Sequence, residues 1–243
     1  MVKIVSHNAC WFQGFPYEAL DPDAAHPEVL RRLTSIYRSH SPDVVCIQEV
    51  QHEKMANVIS TQLNSTARYT RGGAYPIYGC ATFATQIKAI AESGNGASPA
   101  QRTWQISEVA LGEVGLTIGN VHLSSDRFIG EAAAADARVE DLRNMLDFNR
   151  PIDVICGDFN EGPREAAALL LEHEGFVDAA VVTNTNIPST GVGKGRSDQI
   201  WVRNELTSAI DGFGATDWES LDFNISDKDV LSDHLPLWLE LQS

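Results

Sequence analysis

Apolar positions along this chain recur with two periods, and the switches between them outline its elements. Lys3 to Asn8 reads as a first strand, with Ile4 and Val5 inside it. Ala9 to Tyr17 is a loop rich in aromatics (Trp11, Phe12, Phe15 and Tyr17), exposed for substrate contact or capping the sheet's end. From Pro27 to His40, Val29, Leu33, Ile36 and Tyr37 recur at helical spacing, and Pro27 suits a first turn. Pro42 interrupts, and Asp43 to Ile47 predicts a strand ending in Gln48-Glu49. A helix is expected over Glu53 to Leu63, a loop over Tyr69 to Pro76, and a strand over Tyr78 to Thr85. Ala91 to Ala100, with Gly94, Asn95, Gly96, Ser98 and Pro99, reads as a flexible loop. Trp104 to Leu111 and Val114 to Leu123 predict a hairpin around Gly112-Glu113. Ala132 to Phe148 is the clearest helix, with Val139, Leu142, Met145 and Leu146 on one stripe. After Pro151, the apolar run Val154 to Cys156 predicts a buried strand that stops at Gly157. A helix from Pro163 to His173 stops at Gly175, Thr183 to Arg196 is a polar loop, and Asp198 to Val202 is a strand. Asp211 to Asp229 is poorly patterned, anchored by Trp218 and Phe223. A last strand alternates Leu235, Leu237, Leu239 and Leu241, with Pro236 suited to its start.

One repeat organises this pattern. A helix, Pro42 and the run Asp43 to Glu49 resemble a helix, Pro151 and the run Asp153 to Asp158. Each half is a helix followed by a buried strand ending in an acid. Such halves predict an α/β fold of two packed sheets related by pseudo-symmetry, with polar strand ends meeting at one edge. The 243 residues contain no linker rich in Pro, Ser or charge, so one domain spanning residues 1–243 is expected. The net charge of -15 opposes non-specific binding along a polyanion but is compatible with a small basic pocket. Arg71, Arg102, Arg127, Lys194 and Arg196 lie in loops or near strand ends and are candidate phosphate binders. Cysteines at 10, 46, 80 and 156 form no C-x-x-C pair, which reads as packed, reduced thiols in a cytoplasmic chain. The stretch from Met1 to Ser6 reaches a polar residue too soon for a signal peptide, and no apolar run approaches the ~20 residues needed to span a bilayer.

Polar residues stand at the expected strand ends: Asn8, Glu49, His122, Asp158, Asn160, Asp198, and Asp233 with His234. Asp158 and Asn160 are two apart, so in extended geometry they point the same way. An acid beside an amide can orient a water and hold a phosphoryl oxygen; taken alone, the pair is equally an Asx turn. Turn chemistry does not explain a whole set in which every member carries ligand or acid–base groups, so a shared site is expected. Glu49, Asp198 and Asp233 are hard oxygen ligands, and Asn8 can add one, which suits Mg²⁺ with Mn²⁺ as a substitute. Zinc would want more His and Cys. The set fits metal-assisted hydrolysis of a phosphate ester. Asp158 would orient and deprotonate the water, held by Asn160. His234, paired with an acid, would be cationic and stabilise the pentavalent transition state. His122 would donate to a non-bridging oxygen or the leaving group.

Asn8, Gln48-Glu49, Asn120 to Leu123, Gly157 to Asn160, Arg196 to Ile200 and Ser232 to His234 occur in the order seen in the endonuclease/exonuclease/phosphatase superfamily. This resemblance spans nearly the whole chain. It implies a four-layer α/β sandwich, two packed mixed β-sheets flanked by helices, and a Mg²⁺-dependent phosphoesterase. It also implies Asn8, Glu49 and Asp233 at the metal, Asp158 and Asn160 at the nucleophilic water, Asp198 paired with His234, and His122 on the phosphate. Many members carry an acid two residues after the first-strand Asn, where this chain has Cys10. The stretch His122 to Ser125, followed by the helix bearing Arg138, is similar to the 5′-tyrosyl-DNA phosphodiesterase branch, although Thr183 to Gly195 lacks that branch's aromatic motif. The substrate expected is a phosphate ester at a nucleic-acid end or nucleotide, contacted by Arg102, Arg196 and Trp11. One alternative is a lipid head-group or small-molecule phosphoesterase, which the acidic charge and aromatic loop favour. Another is an inactive binding module, which predicts loss of Glu49, Asp158, Asn160 or His234; all four are present.

Overall fold

The structure, a computed structural model, describes residues 1–17, 25–93, 102–112, 114–148, 150–193, 195–225 and 228–242. Glu113, Lys194 and the stretch from Gly94 to Pro99 lie outside the described residues. The chain runs β1 (Val2–Asn8), a 3-10 turn (Cys10–Phe12), α1 (Pro27–Ser39), β2 (Val44–Val50), α2 (Glu53–Leu63), β3 (Thr66–Thr70), β4 (Gly79–Ala84) and β5 (Ile87–Glu92). It continues through β6 (Thr103–Leu111), β7 (Val114–His122), α3 (Asp126–Ile129), α4 (Glu131–Leu146), β8 (Val154–Asp158), α5 (Ala166–His173), β9 (Phe176–Asp178) and α6 (Ala179–Val182). The last part holds β10 (Asp198–Arg203), a 3-10 helix (Asn204–Ala209), β11 (Ile210–Ala215), α7 (Trp218–Leu221), β12 (Asp222–Ile225), β13 (Lys228–Val230) and β14 (Leu237–Leu241).

Alternation inside the strands decides the layers. Val44 and Cys46 of β2 join Ile4, Val154, Cys156, Ile200 and Leu239 in a core between two sheets. Val45 and Ile47 turn the other way, against Val29, Leu33, Tyr37 and Ile59 of α1 and α2. Ile155 of β8 likewise meets Leu142, Met145 and Leu171 of α4 and α5. Strands covered on both faces read as continuous apolar runs, which is why the sequence announces these two. The result is a four-layer α/β sandwich. One six-stranded sheet has the order β11-β14-β1-β2-β4-β3, the other β5-β6-β7-β8-β10-β9, and β12-β13 form a small ribbon. Among the described residues no helix is long and apolar enough to cross a membrane.

The repeat seen in the sequence is a repeat of structure. Each sheet is centred on a parallel pair, β1 with β2 and β7 with β8, and the other pairings are antiparallel. Asp43 Oδ2 accepts from Lys3 N at 2.8 Å, and Asp153 Oδ2 accepts from Thr117 N at 2.7 Å, so the same aspartate clamp starts both pairs. The carboxyl ends of all four strands reach one edge. β10 runs antiparallel to β8, which brings its first residue, Asp198, opposite Asp158. β14 runs antiparallel to β1, which brings the preceding His234 to the same edge.

Several expectations need correcting. The strand β8 continues through Gly157 to Asp158. Gly157 sits at φ 144, and a Cβ there would lie 1.9 Å from Val121 O, so only glycine fits where β7 and β8 close beneath the site. The unpatterned Asp211 to Asp229 contains β11, α7 and β12, and the strands β3, β5 and β9 escaped the sequence reading. β5 is half exposed, and β9 has only three residues, so neither carries a long apolar run. The buried face of α4 is Ala134, Arg138, Asp141, Leu142 and Met145, with Val139 only half-buried. An arginine therefore lies on the stripe assigned to apolar packing.

Candidate active site

Asp158 is the hub. Its Oδ2 accepts from Asn8 Nδ2 at 3.0 Å and Asn160 Nδ2 at 3.3 Å, and its Oδ1 accepts from Asn160 N at 2.9 Å. Asn160 is not extended: at φ 52 it turns left-handed immediately after the strand, and its side chain also donates to Leu123 O. The Asx turn and the site are thus the same feature, because the turn is what aims the carboxylate. Asn8 ends β1, and its Oδ1 accepts from Cys10 N at 3.1 Å, leaving one lone pair toward a cation.

On one side of Asp158 stands His234. Its Nδ1 is 2.8 Å from Asp198 Oδ2 and its Nε2 is 3.9 Å from Asp158 Oδ2. Burial opposes charge on this imidazole, but Asp198 and Asp158 on either side outweigh it and raise its pKa to about 10. Burial raises the pKa of Asp198 in turn, with His234 opposing. His234 is therefore an imidazolium at neutral pH. The ligand-type atoms of Asp158, Asp198 and His234 fall within 4.8 Å of one another. A protonated imidazole has no lone pair, so this trio is one hydrogen bond, from His234 to Asp198, and one longer charge pairing, to Asp158, rather than a metal cage.

Glu49 lies on another side. Strict alternation would point it with Val45 and Ile47 into the helical layer. A bulge between Gln48 and Val50 and a φ of 58 turn it into the cavity instead. Burial raises its pKa to about 7, with Arg102 opposing and Asp233 and Asp158 adding to the rise. Arg102 Nη1 is 3.3 Å from Glu49 Oε1, and its guanidinium lies 3.8 Å from the centroid of the Tyr78 ring. The same Nη1 meets His122 Nε2. A guanidinium can only donate, so His122 Nε2 accepts, and Arg102 takes the donor position expected of His122. Cys10 stays a neutral thiol: burial, then the charges of Asp233 and Glu49, push it well above its ordinary value.

The cavity has a volume of about 390 Å³ and is lined by Asn8, Glu49, Asp158, Asn160, Asp233 and His234. His122 and Asp198 stand directly behind that wall, on Arg102 and His234. Trp11, Arg102 and Arg196 also border it, but two of them differ from expectation. Trp11 and Phe12 are buried rather than exposed. Cys10, Trp11 and Phe12 take consecutive positive φ values of 47, 50 and 57, and Trp11 Nε1 donates to Ile77 O at 3.0 Å. Trp11 is thus a base under Tyr17 and Tyr78, at centroid distances of 5.4 and 5.1 Å. The guanidinium of Arg196 is forked onto Asp178, so it is no free phosphate binder. Arg71, another candidate cation, does not border the cavity.

The sequence-level model of the Endonuclease/Exonuclease/phosphatase family matches residues 5–234. The chain belongs to the endonuclease/exonuclease/phosphatase family. Members of this family are hydrolases acting on phosphoester bonds. None of the curated proteins matches the sequence. Solved structures of similar fold include the following three. TDP2 from D. rerio, complexed with single strand DNA product, has a TM-score of 0.70 at 17% identity, over 100% of this chain and 99% of that one. A mannosyl-6-phosphatase from Bacteroides thetaiotaomicron has a TM-score of 0.71 at 14% identity, over 100% of both chains. The human Nocturnin catalytic domain with bound sulfate anion has a TM-score of 0.65 at 18% identity, over 98% and 92%.

Three supports of this family site were missed in the sequence. Tyr78 carries the Arg102 guanidinium on its ring. Glu161 holds Arg138 Nε at 2.9 Å, while Arg138 Nη1 donates to Ser124 O, Asp126 Oδ1 and Asn160 O. The available signal was a charged residue at helical spacing from Leu142 and Met145. The third is His7, whose Nε2 is 3.0 Å from His234 O and whose Nδ1 is 2.6 Å from Tyr37 Oη. A carbonyl only accepts, so Nε2 carries the proton and Nδ1 accepts from Tyr37.

These two histidines set an expected pH profile. Burial lowers the pKa of His7 from 6.5 to about 3, so its contribution to stability is complete above 6.5 and lost as pH falls toward 3. His234 is raised from 6.5 to about 10, so its contribution is complete below 6.5 and lost as pH rises toward 10. Melting temperature should peak between these limits and fall on both sides. The acid limb should become shallower in His7→Asn; an unchanged limb would remove His7 as its cause.

Proposed function

We propose that this chain is a Mg²⁺-dependent phosphodiester hydrolase acting on a nucleic-acid end or nucleotide, with Mn²⁺ as a working substitute. The observation that carries this reading is the meeting of two sets at one cavity. Glu49, Asp233 and Asn8 supply oxygen donors, and Asp158 with Asn160 faces the imidazolium of His234. The donor set fits a hard cation: it is all oxygen, Cys10 is held neutral, and Glu49 is raised first by burial and then by the neighbouring carboxylates Asp233 and Asp158. When bound, the cation supplies positive charge that polarises the phosphoryl oxygens.

The other roles belong to this chain's own residues. Asp158, its oxygens fixed by Asn8 and Asn160, accepts the proton of the attacking water. His234 faces the phosphate as a fixed cation, oriented by Asp198 and by the His7 bond to its carbonyl. Arg102 offers guanidinium donors to the same oxygens, backed by His122 and Tyr78. Burial of Trp11 and Phe12 disfavours the lipid head-group alternative, because they form no exposed hairpin that could enter a bilayer.

The test is turnover of a panel in Mg²⁺: bis(p-nitrophenyl) phosphate, single- and double-stranded DNA and RNA, a 5′-phosphotyrosyl oligonucleotide, an abasic duplex and sphingomyelin. Hydrolysis of a nucleotide ester that stops on chelation is expected. Glu49→Gln should weaken Mn²⁺ binding, read by electron paramagnetic resonance, by about tenfold or more. If the cation binds and no phosphodiester turns over, the hydrolase reading fails.

A further inference from the structure

We infer that Arg127 and Tyr17 form a second anion subsite at the mouth of the cavity, selecting phosphodiesters that carry a further phosphate about one nucleotide unit from the scissile one. This rests on the hydrolase reading above and adds the part of the substrate that the catalytic residues do not touch.

The cations on the cavity wall are unequally committed. Arg102, Arg127 and Arg196 line it. Arg196 is forked onto Asp178, and Arg102, held by Glu49, His122 and the Tyr78 ring, serves the scissile phosphate. Arg127 is different. It is exposed, and among the described residues no carboxylate pairs with it. Among the described residues its guanidinium hydrogen-bonds to Tyr17 Oη, at 3.5 Å, and the charge of Asp233 on the same wall acts on it from farther off. The neighbouring Asp126 does not neutralise it, because that carboxylate is turned onto Arg138 Nη1 at 2.9 Å. A guanidinium has five donors in a planar fork matched to phosphate. Here that fork borders the cavity.

Tyr17 makes the position a built one. Its ring stands edge-on to the buried Trp11 and to Phe15, at 5.4 and 6.1 Å between centroids. Trp11 also supports Tyr78, which carries Arg102. One continuous run of contacts, Arg127, Tyr17, Trp11, Tyr78 and Arg102, thus joins the exposed cation to the cation beside the catalytic groups. A ligand lying along this run meets an arginine at each end and a half-buried tyrosine ring between them. That order matches a phosphate, a base and a second phosphate. Elsewhere the wall carries the exposed carboxylate of Glu165, which disfavours an anion there.

Size and charge narrow the class. A cavity of about 390 Å³ takes a small ligand or one chain end rather than a duplex. The net charge of -15 opposes tracking along a polyanion. A cationic head group such as phosphocholine would place like charge against Arg127.

Two ester pairs test this, each with Mg²⁺. They are thymidine 5′-(p-nitrophenyl phosphate) with and without a 3′-phosphate, and thymidine 3′-(p-nitrophenyl phosphate) with and without a 5′-phosphate. In one of the two polarities the added phosphate should raise kcat/KM about tenfold, through KM. That ratio should fall to near one in Arg127→Gln, recover in part in Arg127→Lys, and shrink as salt is raised. A ratio of one in both polarities, or a ratio that survives Arg127→Gln, overturns the subsite. Bis(p-nitrophenyl) phosphate separates the two layers. Its turnover with no gain from a second phosphate removes the subsite and leaves the hydrolase reading, whereas no Mg²⁺-dependent turnover of any ester removes both.

Discussion

Asp158→Asn is expected to lower kcat by about 10³-fold, within the range a positioned general base contributes, while KM changes by only about threefold. Asp158 is almost fully buried, and both of its oxygens already accept hydrogen bonds from Asn8 and Asn160. A carboxamide at this position loses the proton acceptor. It also sets an N–H₂ against groups that only donate here, so either Asn8 or Asn160 must let go. Steady-state kinetics on bis(p-nitrophenyl) phosphate in Mg²⁺ make the measurement, with the melting temperature recorded in parallel. A variant that folds and keeps a rate within about tenfold of the parent would move water activation to another group.

Arg138→Ala should cost about 3–5 kcal/mol of stability and lower activity as well, although Arg138 touches no substrate. It is 1% exposed, and its guanidinium holds Glu161 Oε2, Ser124 O, Asp126 Oδ1 and Asn160 O together. Those carbonyls belong to the segments that leave β7 after His122 and β8 after Asp158. Burial already raises the pKa of Glu161, opposed by the amides of α5 and by Arg138. Removing the arginine leaves that carboxylate enclosed without its cation. The fall in melting temperature should be roughly 10 °C for a chain of this size. Arg138→Met with Glu161→Leu should recover much of the stability, since an apolar pair of similar volume can replace a buried ion pair. It should not recover kcat, because nothing then holds the carbonyls of Ser124 and Asn160. Full recovery of both would make Arg138 a packing residue only.

The parts of this protein legible from one sequence were those set by local rules. The runs Val44 to Ile47 and Val154 to Cys156 are apolar on both faces, so their burial followed from strand period alone. Pairs of parallel strands put their carboxyl ends together, so Asn8, Glu49, His122 and Asp158 share an edge as soon as the strands are recognised. Other expectations failed where a distant partner decides. Arg196 reads as a free cation until Asp178 is placed beside it, and the aromatic loop reads equally as substrate contact or cap until Ile77 and Tyr78 cover Trp11. β3, β5 and β9 were missed because short or half-exposed strands owe their existence to a neighbour's ladder rather than to an apolar run of their own.

By itself, the sequence determined the layers, the repeat of helix and strand, and which chemical groups arrive at the sheet edge, because strand period and strand ends are properties of a few consecutive residues. Only the tertiary structure decided how those groups are charged and aimed. The bulge that turns Glu49, the flanking carboxylates that keep His234 protonated, and the tyrosine that Arg127 meets all depend on partners tens to hundreds of residues away. Electrostatic energy and side-chain direction are set by what lies within a few ångströms, and the chain order alone does not contain that distance.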